Sequence, residues 1–108
     1  MSDYFDKNGD PMALMEWASK FEDMDYKVVA FDDGKVYRVS TVWLGLDHNF
    51  AGDGPPLIFE SMVFPLSSYE DQACRRYSTE AEALAGHAEL VSEWLVNETV
   101  YAEPDPED

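Results

Sequence analysis

Four side chains in this chain set ionisable chemistry beside apolar runs. Asp47 and His48 end the run TVWLGLDHNF, Glu60 interrupts LIFESMVF, and His87 closes AEALAGH. Two imidazoles and two carboxylates form a donor set that suits a divalent transition metal, with a position left for water. A hydroxide on such a metal attacks esters and phosphoesters. Without a metal, a carboxylate that orients an imidazole gives a general base, and Glu60 with His87 has the right types. The structural alternative is as direct. His87 would be a core histidine bonded to Glu60, and Asp47 with His48 would cap a loop. No His-x-x-x-His or His-x-Glu spacing occurs, so spacing does not choose between these readings.

The elements that must position these groups can be read from pattern. Lys35–Leu46 and Leu57–Phe64 are rich in β-formers and flank a loop of about ten residues, Asp47–Pro56, that holds Gly52, Gly54 and two prolines. If the two strands pair around that loop with Leu46 near Leu57, Trp43 falls opposite Glu60 and Thr41 opposite Met62. Alternation then puts Thr41, Trp43, Asp47 and Glu60 on one face. A final helix opening at Ser78-Thr79-Glu80-Ala81-Glu82, with Thr79 and Glu82 spaced as a capping box, would place Leu84, His87, Ala88, Val91, Trp94 and Leu95 on one stripe. That helix brings His87 over the sheet, so the expected binding cluster is Thr41, Trp43, Asp47, His48, Glu60 and His87.

The rest of the chain completes an α+β fold. Asp10-Pro11 resembles a helix start, and Leu14, Trp17, Ala18 and Phe21 share a face in the segment Pro11–Glu22. Tyr26–Phe31 reads as a strand that turns at Asp32-Asp33-Gly34 into the next one. Cys74–Tyr77 is a short fourth strand. The expected architecture is a three- to four-stranded antiparallel sheet with an N-terminal and a C-terminal helix packed on it, spanning residues 1–97. Residues 98–108 form a flexible acidic tail, and Tyr4 and Phe5 dock from the N-terminal arm. Both long strands carry apolar residues at odd and even positions, so the second sheet face would be covered by the arm or by a partner chain, such as a second copy in a homodimer.

Other motifs are weaker. Asp6-Lys7-Asn8-Gly9-Asp10 begins like a calcium loop, but Pro11 stands where the sharp-turn glycine belongs and Trp17 where the closing glutamate belongs. A turn followed by a helix cap fits better. Cys74 stands beside Arg75 and Arg76, which favour a thiolate if they share its face, though adjacent strand residues point to opposite faces. AGDGPP lacks the lysine and the strand–glycine–helix context of a phosphate loop. Trp43, Phe59, Phe64 and Trp94 read as core, and no cofactor motif is present.

Charge is the strongest global signal. The 108 residues include 23 acidic and 7 basic side chains, a formal net charge of -16. Direct binding to nucleic acid is opposed by long-range repulsion, and docking on a basic protein surface is favoured. A solubilising surface is the plainer explanation. At 45% hydrophobic residues the chain is too apolar to be disordered, and its apolar runs are far short of the roughly 20 residues that cross a bilayer. A single cysteine and an acidic N-terminus without an apolar core segment point to the cytoplasm.

Taken together, VSTVWLGLDHNF, PPLIFESMVF and RRYSTEAEALAGH resemble a family of small uncharacterised proteins of actinobacteria and their bacteriophages. Its members share a VSTVWLGLDH-like strand, an IFETMVF-like strand and an RYST-E-A-GH segment. The resemblance includes Asp47, His48, Glu60 and His87; Ser61 stands where the pattern has threonine. It carries no catalytic role. It implies a phage or prophage accessory protein of the bacterial host cytoplasm, which would bind and modulate a host or phage protein. The metal-assisted hydrolase or small-ligand binder built on Asp47, His48, Glu60 and His87 is the alternative, and a virion component is a third.

Overall fold

The computed structural model describes residues 3–47 and 54–96. The fold is α+β: a four-stranded antiparallel sheet with a short N-terminal helix and a 17-residue C-terminal helix packed on it. The strands β3 (Val28–Asp33), β4 (Tyr37–Trp43), β5 (Phe59–Pro65) and β6 (Ala73–Tyr77) run as a meander in the order β3-β4-β5-β6. Ahead of them, β1 (Tyr4–Phe5) and β2 (Pro11–Met12) form a small hairpin, followed by α1 (Leu14–Glu22) and α2 (Met24–Lys27). The last helix, α3 (Glu80–Leu90), continues through a wider π-helical stretch, Val91–Val96.

The N-terminal hairpin departs from the expected helix start. Asp10 does not cap a helix; its backbone carbonyl accepts from Asp6 N at 2.9 Å, and its own N–H donates to Asp6 Oδ1 at 3.0 Å. Asp6 Oδ1 also takes the Asn8 N–H, and Gly9 turns the chain at φ +86°. The carboxylate thus organises a turn, and Pro11 pairs with Phe5 in β2. The helix begins three residues later, with Ala13 at its N-cap and no side-chain cap bond. Tyr4 and Phe5 do dock on the core, Tyr4 against Trp17 with ring centroids 4.8 Å apart.

The hairpin between β3 and β4 forms as expected, but β3 runs through Asp33, and Gly34 N–H closes the turn on Tyr37 O at 2.8 Å. At the far end of β4, Gly45 lies at φ +75°, where a Cβ would overlap the indole of Trp17. Only glycine fits there, and the tight approach lets Trp17 Nε1 donate to Leu44 O at 2.9 Å.

Alternation sends Val39, Thr41 and Trp43 of β4, and Phe59, Ser61 and Val63 of β5, to one side of the sheet, where all six are fully buried. The last helix covers that side through Ala83, Gly86, His87 and Leu90, at spacings of three, one and three. This stripe differs from the expected one: Leu84 is half exposed and Ala88 points outward. Ala83 and Gly86 are small enough to bring the helix axis close, and the π-helical stretch resets the phase so that Val91, Trp94 and Leu95 return to the sheet. The core divides in two. Met12, Trp43, Ile58, Phe59 and Ala83 form one cluster, and Val39, Val63 and Leu90 the other. Burying a side chain such as Phe59 contributes about 1.5–3 kcal/mol.

Candidate functional site

Between the two apolar clusters lies one polar layer. β4 and β5 pair with Val39 opposite Val63, Thr41 opposite Ser61 and Trp43 opposite Phe59. The middle pair is the polar one. Thr41 Oγ1 is 2.5 Å from Ser61 Oγ and 2.7 Å from His87 Nδ1. On its other side, His87 Nε2 is 2.7 Å from Asp32 Oδ2. Four side chains from β3, β4, β5 and α3 therefore form one hydrogen-bonded chain. Thr41 and Ser61 are fully buried, the His87 side chain is 7% exposed and that of Asp32 is 56% exposed, so the chain runs from a dry end to a wet one.

Proton counting orders the chain. In the neutral tautomer with the proton on Nε2, His87 donates to Asp32, Thr41 donates to Nδ1, and Ser61 donates to Thr41. Each proton is then used once. A second proton on the ring turns Nδ1 into a donor. Thr41 must then accept from it and donate to Ser61, and the direction of both hydroxyls reverses. The order hydroxyl, imidazole, carboxylate is that of a nucleophile relay. Here both hydroxyls sit beneath the helix, and the chain ties α3 to three strands.

Glu60 takes no part. Its partner across the ladder is Val42, one residue away from the expected Trp43. A slip of one residue exchanges the faces of a strand. Glu60 therefore leaves the sheet on the side away from the helix, where its Oε2 accepts from Arg76 Nε at 3.1 Å and lies 3.5 Å from Cys74 Sγ. Ser61 stands where Glu60 was expected. The expected cluster is split: Thr41, Trp43 and His87 share the helix side, Glu60 faces the opposite way, and Asp47 accepts the Leu57 N–H at 2.9 Å at the mouth of the loop. His48, Gly52 and the rest of residues 48–53, and residues 97–108 with the expected tail, lie outside the described residues. Among the described residues, no three His, Cys, Asp or Glu side chains come together as a metal-binding group, and no pocket opens.

Cys74 and the two arginines also separate by alternation. Arg75 points to the helix side and bridges Glu89 at 2.8 Å and Glu93 at 3.2 Å. Cys74 points the other way. Burial, followed by the Glu60 charge and its hydrogen bond, pushes the thiol above its ordinary value despite Arg76 nearby. Asp33 on the same open side is held below the usual carboxylate range by its hydrogen bond to Arg38, whose Nε is 2.6 Å away.

Asp32 and Ser61 were missed for identifiable reasons. Asp32 reads as turn chemistry in Asp-Asp-Gly. A register that turns Glu60 inward sends Ser61 to the face opposite the helix. One signal favoured the true register: in Leu57–Phe64 the parity Leu57, Phe59, Ser61, Val63 carries no charge, and the other parity carries Glu60.

Comparison of the chain with protein-family models, curated proteins and solved structures finds no match.

Proposed function

We propose that the chain is a small acidic accessory protein of phage type that docks on and modulates a basic protein, a nucleic-acid-handling enzyme of host or phage being the class its field suits. The observation that carries this reading is the placement of the charge. The stretch from Glu80 to Val96 has four carboxylates, Glu80, Glu82, Glu89 and Glu93, and no lysine or arginine. Around α1 and α2, Glu16, Glu22, Asp23 and Asp25 are all exposed. These eight carboxylates outnumber the cations set among them, Lys20, Lys27 and Arg75, and the net negative field over the helical side speeds encounter with a basic surface and repels nucleic acid, so such a protein competes with nucleic acid for the same partner. The phage setting rests on the family resemblance of the three quoted segments.

The test is competition. A basic DNA- or RNA-handling enzyme recovered with the chain by crosslinking is titrated against it while salt rises from about 0.05 to 0.5 M, across which the screening length falls severalfold. The expected result is steep weakening with salt and displacement by duplex DNA or RNA. Charge reversal at Glu89 and Glu93 should weaken the complex further. Binding that ignores salt, or a partner whose contact surface is not basic, refutes the proposal.

A further inference from the structure

The sheet ends in two borders, the outer edges of β3 and β6. Register decides which main-chain groups each border presents. Gly34 N–H donates to Tyr37 O at 2.8 Å, so Asp32–Val39 and Ala30–Thr41 are the pairs of this ladder that exchange hydrogen bonds. The N–H and C=O of Phe31 and Asp33 therefore point away from β4, and among the described residues no strand takes them. Counted the same way from Leu44 N–H and Ile58 O, the β6 border presents Cys74 and Arg76. The two borders differ in their side chains. Arg75 and Arg76 stand on the β6 border, and long charged side chains blunt an edge. The β3 border has two short aspartates and the half-exposed ring of Phe31. Asp33 lies on the open side of the sheet, where Arg38 holds it. Asp32 lies on the helix side. Its Oδ2 meets His87 Nε2 at 2.7 Å, its side chain is 56% exposed, and its Oδ1 has no hydrogen-bond partner among the described residues.

We propose that the β3 border takes up an extended basic segment of the partner protein as an added antiparallel strand. This rests on the reading of the chain as an acidic protein that docks on a basic one, and it states how the two join. An extended segment is the form of chain that matches N–H and C=O groups set along an edge. Its basic character follows from Asp32. The added residue that faces Asp32 belongs to a pair without main-chain bonds, where side chains come closest. Its side chain lies on the helix side, within reach of the open Oδ1, and a lysine or arginine there completes a carboxylate that His87 half fills. Two nearby cations are engaged elsewhere: Lys27 lies over the Phe21 ring at 3.7 Å, and Arg38 holds Asp33. The added residue that faces Phe31 lies on the opposite side of the sheet, where an apolar side chain covers the ring. The segment recognised therefore alternates apolar and basic residues. A second copy of β3 fits badly. Antiparallel pairing of two such borders about Asp32 sets carboxylate against carboxylate, and like charges directly opposite are destabilising.

The probes are capped peptides of about seven residues, a strand's length, that alternate valine and lysine. One carries N-methyl groups on its valine amides, another on its lysine amides. Valines that face Phe31 and Asp33 bond to β3 through their main chain, while the lysine amides point away. Methylation at valine should therefore abolish binding to the full chain, and methylation at lysine should leave it. With the unmethylated peptide, the amides of Phe31 and Asp33 should gain protection in hydrogen exchange read by NMR, and those of Cys74 and Arg76 should not. Phe31→Pro removes an outward N–H without touching the ladder to β4, and should weaken binding at least about tenfold while the circular dichroism spectrum is kept. Asp32→Asn retains an acceptor for His87 and should weaken binding about two- to fivefold. Equal binding of the two methylated peptides overturns the added strand and leaves the acidic-field reading intact. A lysine peptide that fails to bind, or one whose affinity survives in folded Phe31→Pro and Asp32→Asn proteins, overturns it as well. Failure of the acidic-field reading is a separate result, salt-insensitive binding of the basic enzyme.

Discussion

Replacing Thr41 by valine removes one oxygen that serves two buried groups. Ser61 Oγ loses the acceptor 2.5 Å away, and His87 Nδ1 loses the donor 2.7 Å away. Neither can turn to water, because Ser61 is fully buried and His87 is 5% exposed. A buried polar group left without a partner costs about 1–3 kcal/mol, so two of them cost about 2–6 kcal/mol. Small domains are stable by roughly 5–15 kcal/mol, which makes this a large fraction of the total. Ser61→Ala removes only the end of the chain and should cost about 1 kcal/mol, since Thr41 can still donate to His87. In the Thr41→Val background, Ser61→Ala removes an orphaned hydroxyl. The double variant should therefore be less destabilised than the sum by at least about 1 kcal/mol. Glu60→Gln touches the pair with Arg76 and the contact with Cys74 on the open face and should cost about 1 kcal/mol. Urea unfolding followed by circular dichroism, with the fluorescence of buried Trp43 as a second probe, gives all four values. Thr41→Val within about 0.5 kcal/mol of the parent would refute the chain of hydrogen bonds. A larger loss from Glu60→Gln than from Thr41→Val would restore the register in which Glu60 faces the helix.

Gly86→Ala should be severely destabilising, because a Cβ there overlaps the hydroxyl and ring of Tyr77; a thermal midpoint close to the parent's would show that the helix does not press on that ring. Tyr77→Phe should raise stability by about 1 kcal/mol, since the Tyr77 hydroxyl is buried without a hydrogen-bond partner among the described residues; a loss in chemical unfolding would count against this. Cys74 should alkylate more slowly at pH 8 than a thiol in an unfolded peptide, because a raised pKa leaves less thiolate at that pH. Glu60→Gln should accelerate it, and a rate at or above the peptide's would contradict the assigned surroundings. Thr79→Ala should cost about 1 kcal/mol through loss of the cap bond to Glu82 N, read from the same unfolding curves.

The meander, its hairpins and the capped closing helix were legible because each rests on local chemistry: β-branched runs, Gly34, and the Thr79–Glu82 reciprocity. Register was not, because it is fixed by a loop of ten residues rather than by a tight turn, and both strands have apolar residues at both parities. One residue of slip was enough to exchange Glu60 for Ser61 beside His87. The prediction that His87 would turn inward held because it depends on helix periodicity alone. The identity of its partners did not, because it depends on pairing across the sheet. Asp10-Pro11 misled for a related reason. The same residues that open helices also close hairpins, and Asp6, four positions earlier, claimed the Asp10 amide first.

The bond from His87 to Asp32 joins residues 55 apart, the longest separation among the contacts of the polar layer. A ribosome finishes the whole meander, through Tyr77, before it has made the helix that roofs it. Until residues 80–96 emerge, Trp43 and Phe59 have only the N-terminal residues such as Met12 and Tyr26 to lie against, Val39 and Val63 lack Leu90, and two hydroxyls interrupt that half-covered surface. The nascent sheet is therefore competent to pair with other strands before it is competent to be a finished domain. A chain stalled or cleaved between Tyr77 and Glu80 should be recovered as aggregate and not as a smaller folded protein.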